Sequence, residues 1–267
     1  MALKDHIKEK FQDKEFDEDE SGSNYSKKIF ERVFAVGKTF TDVNFIQTNF
    51  SACYFRNCRF IRCNFTGASF KECYLMGSNF PECTFKYTTF SSTHLDDKFL
   101  DNYLPPEENL ARDLVRALRV NFSQVGNYEG VNKAAELEVK LTGVHLYKAT
   151  YSKEAYYRTK EKYSGLSRVG YFISHAKWRF LDLIWGNGES IFRVILSSFL
   201  FVFIISLLVF TPCEIDFNDA FFSTLYQFWG VRPELILPKY ISMFLTVGRL
   251  IFFSLFISIL IKKLAKR

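Results

Sequence analysis

Phe45-Ile46-Gln47-Thr48-Asn49-Phe50-Ser51-Ala52-Cys53-Tyr54-Phe55-Arg56-Asn57-Cys58-Arg59-Phe60-Ile61-Arg62-Cys63-Asn64-Phe65 puts a phenylalanine at every fifth position. The series runs from Phe40 through Phe70, then Leu75, Phe80, Phe85 and Phe90, to Leu95. Neither a helix of about 3.6 residues per turn nor a strand of period two keeps such a series on one face, so the spacing indicates a repeat architecture. Two residues before each large side chain, from Phe45 onward, stands a small one: Val43, Thr48, Cys53, Cys58, Cys63, Ala68, Cys73, Ser78, Cys83, Thr88 and Thr93. Five of the six cysteines fall in that second series, which makes them buried small apolar side chains. None shows the Cys-x-x-Cys spacing that lets two thiolates meet one zinc ion. Cys53 is expected over Cys73 and Cys63 over Cys83, about one inter-strand spacing of 4.8 Å apart, with no disulfide in the cytosol.

The blocks Thr48-Asn49-Phe50, Cys63-Asn64-Phe65 and Ser78-Asn79-Phe80 match the A-(D/N)-L-x-x consensus, so this stretch resembles the pentapeptide-repeat family. The resemblance implies a right-handed quadrilateral β-helix over residues 35–100. Each pentapeptide forms one side, about twelve sides make three coils, and the large and small residues both point into the shaft. Each buried Phe stabilises by about 1.5 to 3 kcal/mol, and stacked coils share the core. Some family members are thought to mimic DNA and bind type II topoisomerases. Charge disfavours that mimicry here: Arg56, Arg59, Arg62, Lys71 and Lys86 outnumber Asp42, Glu72 and Glu82 between Phe40 and Leu95, whereas a duplex mimic is strongly acidic. As a partner for the chain's basic charge, nucleic acid ranks behind anionic lipid headgroups. The β-helix reads instead as a sensing or assembly surface for a protein partner.

The whole chain of 267 residues has a mean hydropathy near zero because a charged part and an apolar part are added together. The net charge of +6 comes mostly from residues between Lys140 and Arg179 and from the C-terminus, which points to anionic lipid headgroups. Residues 1–34 form a charged N-terminal segment with the acidic run Asp17-Glu18-Asp19-Glu20 and no apolar core of a signal peptide. A helical hairpin connector is predicted over 101–165. Leu110, Leu114, Ala117, Leu118 and Phe122 share one face before Gly126, and Ala134, Leu137, Leu141 and Val144 share the next. Residues 166–190 read as an interfacial amphipathic helix, with Tyr171, Trp178 and Trp185 as membrane-interface anchors; packing against the hairpin is the alternative.

Residues 191–210 and 240–262 are each long and apolar enough to span a bilayer, and a basic tail follows at 263–267. Lys and Arg before Ile191 and after Ile261 place both termini in the cytoplasm of a multi-pass cell-membrane protein. Between the spans, residues 211–239 include Ala220-Phe221-Phe222-Ser223-Thr224-Leu225-Tyr226-Gln227-Phe228-Trp229, too apolar for an exposed loop and too short to cross. A re-entrant half-helix fits, giving a two-transmembrane-helix pore module. Ser223, Thr224, Tyr226, Gln227 and Gly230 are the pore-region candidates, their alternative role being to cap a buried half-helix. Arg249 joins them, because a cation near the bilayer centre costs about 2.5 to 3.5 kcal/mol and must face water or an acid. It lines the pore, where it disfavours cations, or it snorkels or pairs with Glu214 or Asp219.

This order of parts, with Trp185-Gly186-Asn187-Gly188-Glu189-Ser190 before the first span, resembles pentapeptide-repeat proteins that end in a potassium-channel-like ion channel domain. The resemblance implies a homotetramer around one pore, with the second span innermost. The Thr-x-Gly-Tyr-Gly filter of such channels is absent, and Phe228-Trp229-Gly230-Val231 stands in its place, so potassium selectivity does not carry over. Gly248, in Thr246-Val247-Gly248, is the candidate for a gating hinge or a close-packing position.

The expected function is an oligomeric membrane pore or ion channel with a cytoplasmic repeat domain, its permeant ion unspecified. The alternatives are a non-conducting membrane-anchored adaptor whose β-helix binds proteins, and a membrane-depolarising antiviral defence effector. No enzyme, metal or cofactor is expected. His145 and His175 have no acid or cysteine at ligand spacing, and there is no phosphate-binding glycine loop or triad.

Overall fold

The computed structural model of the chain describes residues 8–213, 216–233 and 235–264, the side chains of 211–213 excepted. Glu214, Glu234 and the basic tail residues Lys266 and Arg267 lie outside the described residues. The chain divides into two compact units, Met1–Lys148 and Ala149–Arg267.

The first unit is a β-solenoid of about four turns followed by helices. Its strands are β1 (Lys10–Gln12), β2 (Glu20–Ser21), β3 (Ile29–Glu31), β4 (Phe34–Val36), β5 (Thr39–Thr41), β6 (Asn49–Ser51), β7 (Tyr54–Arg56), β8 (Arg59–Ile61), β9 (Ser69–Lys71) and β10 (Thr89–Ser91). All pairings are parallel, in three ladders ordered β1-β3-β6-β9-β10, β2-β5-β8 and β4-β7. Phe30, Phe50, Phe70 and Phe90 are in register, one above the other. At the corners the backbone turns through left-handed residues every five positions, with φ of 56° at Asp42, 54° at Gln47, 51° at Ala52, 54° at Asn57 and 52° at Arg62. The core is a column of stacked rings: Phe45 on Phe65 at 5.1 Å, and Phe65 on Phe85 at 5.1 Å.

The solenoid begins a coil earlier than the periodicity predicts, inside the expected charged segment 1–34. Phe11 stacks on Phe30 at 5.0 Å, and β1 pairs with β3. The physical reason is a slip of one residue: Phe11 pairs with Phe30, nineteen positions on, whereas Phe30 pairs with Phe50, twenty on. Position 35 is also an alanine, buried in the shaft where the series would have a ring.

The small inward residues do more than fill space. Thr48, Ser78 and Thr88 donate their hydroxyls to the carbonyls of Tyr25, Phe55 and Phe65, at 2.7, 2.8 and 2.8 Å. The thiols of Cys53, Cys58, Cys63 and Cys83 do the same to Phe30, Ala35, Phe40 and Phe60, at 3.3 to 3.4 Å. Each is a bridge to the carbonyl 23 residues earlier, one coil up the shaft. Hydrogen bonding to the thiol above, then burial, pushes the thiols of Cys73 and Cys83 well up, so they stay protonated and unreactive. At exposed corners Arg32 pairs with Asp13 and Arg62 with Asp42, holding both carboxyls below their usual range; exposed pairs of this kind add little stability.

Both the shaft and its last open sheet edge are covered. The ring of Phe99, on helix α1 (Phe99–Asn102), lies 4.8 Å from Phe85 and 5.6 Å from Phe90, closing the shaft. Helix α2 (Glu108–Gln124) then packs across β10. Its fully buried Asn121 accepts from the Thr93 N–H and donates to the Thr93 carbonyl, each at 2.8 Å, so one side chain imitates the next strand. Asn121→Leu keeps the branched four-atom skeleton and strands both backbone groups, at a cost of about 1 to 3 kcal/mol. Amide hydrogen exchange should speed up in peptides spanning β9 and β10, with little change in β1 and β2. Helix α3 (Tyr128–Tyr151) runs back along α2, with Glu138 paired to Arg116 at 3.0 Å and to Arg119 at 3.1 Å.

In the second unit, α4 (Ala155–Thr159) and a 3-10 turn at Glu161–Tyr163 build a cluster in which the ring of Tyr163 lies 4.9 Å from Tyr157 and 5.1 Å from Tyr171. Helix α5 (Gly165–Trp185), α6 (Ile191–Cys213), α7 (Phe217–Trp229) and α8 (Lys239–Leu264) complete the chain.

Candidate functional site

α6 and α8 contain the spans Ile191–Phe210 and Lys239–Leu264, long and apolar enough to cross a membrane. Only 22% and 17% of their most apolar windows is buried, so their outward faces present Phe192, Leu200, Leu208, Met243 and Phe253 to the surroundings, unlike the core helices of a soluble fold. The amino end of α6 and the carboxyl end of α8 lie together: Lys262 pairs with Glu189 just before α6, while Arg193 pairs with Asp182 of α5 at 2.6 Å.

α7 lies between these two helices. Its first residue, Phe217, rests against Phe203 and Phe210 of α6, both at 5.9 Å. Near its other end Phe228 meets Phe201 at 6.1 Å and Phe252 at 6.3 Å, residues midway along α6 and α8. Ala220, Ser223, Thr224 and Phe228 form its buried stripe, and three small residues in that stripe let the helix approach closely. The helix stops at Gly230, whose φ of 82° is left-handed; its N–H donates to the Gln227 carbonyl at 3.1 Å, and the Val231 N–H to Tyr226 at 2.8 Å.

The pore-region candidates therefore do not share a face. Ser223 and Thr224 face inward within a single chain, and the Thr224 hydroxyl donates to the Ala220 carbonyl at 2.7 Å. Tyr226 is 44% exposed and Gln227 half-buried. At about 100° per residue the outward face of α7 is Phe222, Tyr226 and Trp229, and sequence reasoning, which chose residues by polarity, passed over the first and last. Arg249 is half-buried beside Gly230, and it makes no ion pair or hydrogen bond with a described residue, Asp219 included. Glu214, the other expected partner, lies outside the described residues.

Gly248 is buried against α6: a Cβ added there would lie 2.6 Å from ring atoms of Phe201. α8 continues unbroken through this position, and the glycine sits at a close packing contact with α6.

On α5 the expected anchors are not the exposed residues. Tyr171 packs on Tyr163, and Trp178 and Trp185 are half-buried. The apolar exposure belongs to Leu166, Val169, Phe172, Ile173, Phe180 and Leu183, because the helix turns its aromatic amphipathic residues toward its neighbours. Burial, then the charge of Arg179, pushes the His175 imidazole below its ordinary value, so it is neutral at pH 7.

Residues 23–104 match the sequence family described as Pentapeptide repeat region. No curated protein matches the chain. Among solved structures it is similar to a pentapeptide repeat protein from the Arabidopsis thaliana thylakoid lumen, at 22% identity over 30% of this chain and 51% of that one, with a TM-score of 0.23. It is also similar to trypsin-treated QnrB1, a plasmid-mediated fluoroquinolone resistance protein, at 18% identity over 33% of this chain and 54% of that one, with a TM-score of 0.14. The chain thus spans about half the length of the solved proteins it matches. Residues 23–104 are a pentapeptide-repeat region, and its phenylalanine column is the core of a β-solenoid.

Proposed function

We propose that the chain is one subunit of an oligomeric membrane pore, with α6 and α8 as its spans, α7 as a re-entrant half-helix and the solenoid as a cytoplasmic surface for assembly or for a protein signal. The observation that carries this reading is the position of α7. A thirteen-residue helix enters beside Phe210 and ends beside Phe201 and Phe252, halfway along two apolar helices, so its carboxyl end is at mid-membrane when α6 and α8 span. Backbone that stops at such depth needs water or protein around it, and neighbouring copies around an axis supply both. Lys262 and Lys263 at the end of α8, with the Lys and Arg of α5, support a reading with both termini on the cytoplasmic side. A count of four subunits follows the resemblance to channel-bearing repeat proteins.

A second reading, a membrane-anchored adaptor that does not conduct, is favoured by the satisfied hydroxyls. Ser206, Thr224, Thr246 and Ser254 each donate to a carbonyl four residues earlier in their own helix. Single-channel recording of the purified intact chain in planar bilayers separates the two. Discrete currents that scale with incorporated protein are expected from the pore, and silence at verified incorporation is expected from the adaptor.

A further inference from the structure

The carboxyl end of α7 meets a guanidinium. The carbonyls of Phe228 and Trp229 have no hydrogen-bond partner among the described residues. A Cβ built on Gly230 would fall 2.1 Å from Arg249 Nη1, so the guanidinium occupies the volume that any other side chain at 230 would claim. Around it is a cavity of about 550 Å³ whose walls, including Ile195, Phe199, Phe228, Trp229 and Phe253, are mostly apolar, with Ser198 as a second polar side chain. Arg249 is the eleventh residue of α8, about 15 Å along the helix from Lys239 and so near the middle of a hydrocarbon core of about 30 Å.

The charges at this point can be added. A helix carboxyl end carries about −0.5 of an elementary charge, and on its own it attracts a cation. Arg249 adds +1, leaving about +0.5 per subunit at the same place. We propose that Arg249 is a tethered cation that inverts the sign of the field at the carboxyl end of α7, so that the pore passes small univalent anions such as chloride and rejects potassium. The proposal rests on the pore reading above and adds to it the class of ion. It also gives Gly230 a second role besides its left-handed turn, since a side chain at 230 would displace the guanidinium from the position it holds here.

The test is the permeability ratio of chloride to potassium, measured for the full-length chain in planar bilayers under a KCl gradient. Wild type, Arg249→Lys and Arg249→Gln are compared. Wild type and Arg249→Lys should favour chloride. Arg249→Gln exposes the bare helix end, so the ratio should fall at least tenfold and drop below one. An unchanged ratio in Arg249→Gln, or a wild type that favours potassium, overturns the proposal while leaving the pore standing. The wild-type ratio alone tests the sign, so failure of the glutamine variant to insert does not protect the idea. Silence from all three proteins at verified incorporation removes the proposal and the pore together.

Discussion

Phe65→Ala will loosen the solenoid by about 3 to 5 kcal/mol, the range for emptying a buried aromatic site. Phe65 is 1% exposed, stacks on Phe45 and Phe85 at 5.1 Å, and meets Phe60 and Phe70 edge-on or tilted at 5.5 and 5.7 Å. The shaft is built of hydrogen-bonded coils that cannot collapse sideways without breaking register, so the cavity stays open and the cost lies at the high end. A repeat protein is held by nearest-neighbour interfaces, and this ring sits in two of them. The tryptophans are Trp178, Trp185 and Trp229, all in the second unit, so their fluorescence does not report on the solenoid. Amide hydrogen exchange of solenoid peptides does, and if the unit opens cooperatively the change is about a hundredfold to several thousandfold. Tyr87→Ala, at an exposed corner, should leave exchange nearly unchanged. Equal effects from the two variants would mean that the column of rings does not hold the coils together.

The column was legible because its period is a property of the sequence alone: one ring every five residues has no helical or strand explanation. What broke the reading upstream was a one-residue slip between Phe11 and Phe30 and an alanine at 35, which erase the period without erasing the coil. The role of Asn121 was not legible, because its partner Thr93 lies 28 residues away and nothing in a helical pattern marks an asparagine that imitates a strand. The hydroxyl and thiol bridges were half visible. Smallness at every fifth position announced burial, but the preference for Thr, Ser and Cys over Ala was itself the sign that a donor was needed.

The second unit shows a different limit. Apolar length is additive along the chain, so two helices long and apolar enough to cross a membrane were readable, and so was a short apolar segment between them. Which face of that segment turns inward depends on the helices around it. Ser223 and Thr224 were picked as pore candidates for their polarity, and in the structure they lie in the buried stripe of α7. The closeness of Gly230 and Arg249 joins residues nineteen positions apart across an irregular return segment, a distance that no periodicity encodes.

Gly248→Leu should disrupt the packing of α6 on α8 by about 3 kcal/mol or more, the upper range for forcing volume into a filled interface. Even the first carbon of the new side chain would lie 2.6 Å from Cε1 and Cζ of Phe201, and that ring is held by Phe228, Phe244 and Phe252 at 5.6 to 6.1 Å. Moving it would also displace the carboxyl end of α7, so loss of packing and loss of any current should go together. Phe201→Ala alone opens a cavity and destabilises too. Combined, the two changes exchange a large residue facing a small one for the reverse, and the double variant should regain a substantial part of what each loses, a coupling measurable as thermal stability of the reconstituted protein. A hinge glycine behaves otherwise: Gly248→Leu would then stiffen α8 with little loss of stability, and Phe201→Ala would bring no rescue. The sign of that coupling decides whether the glycine is there for the contact or for motion.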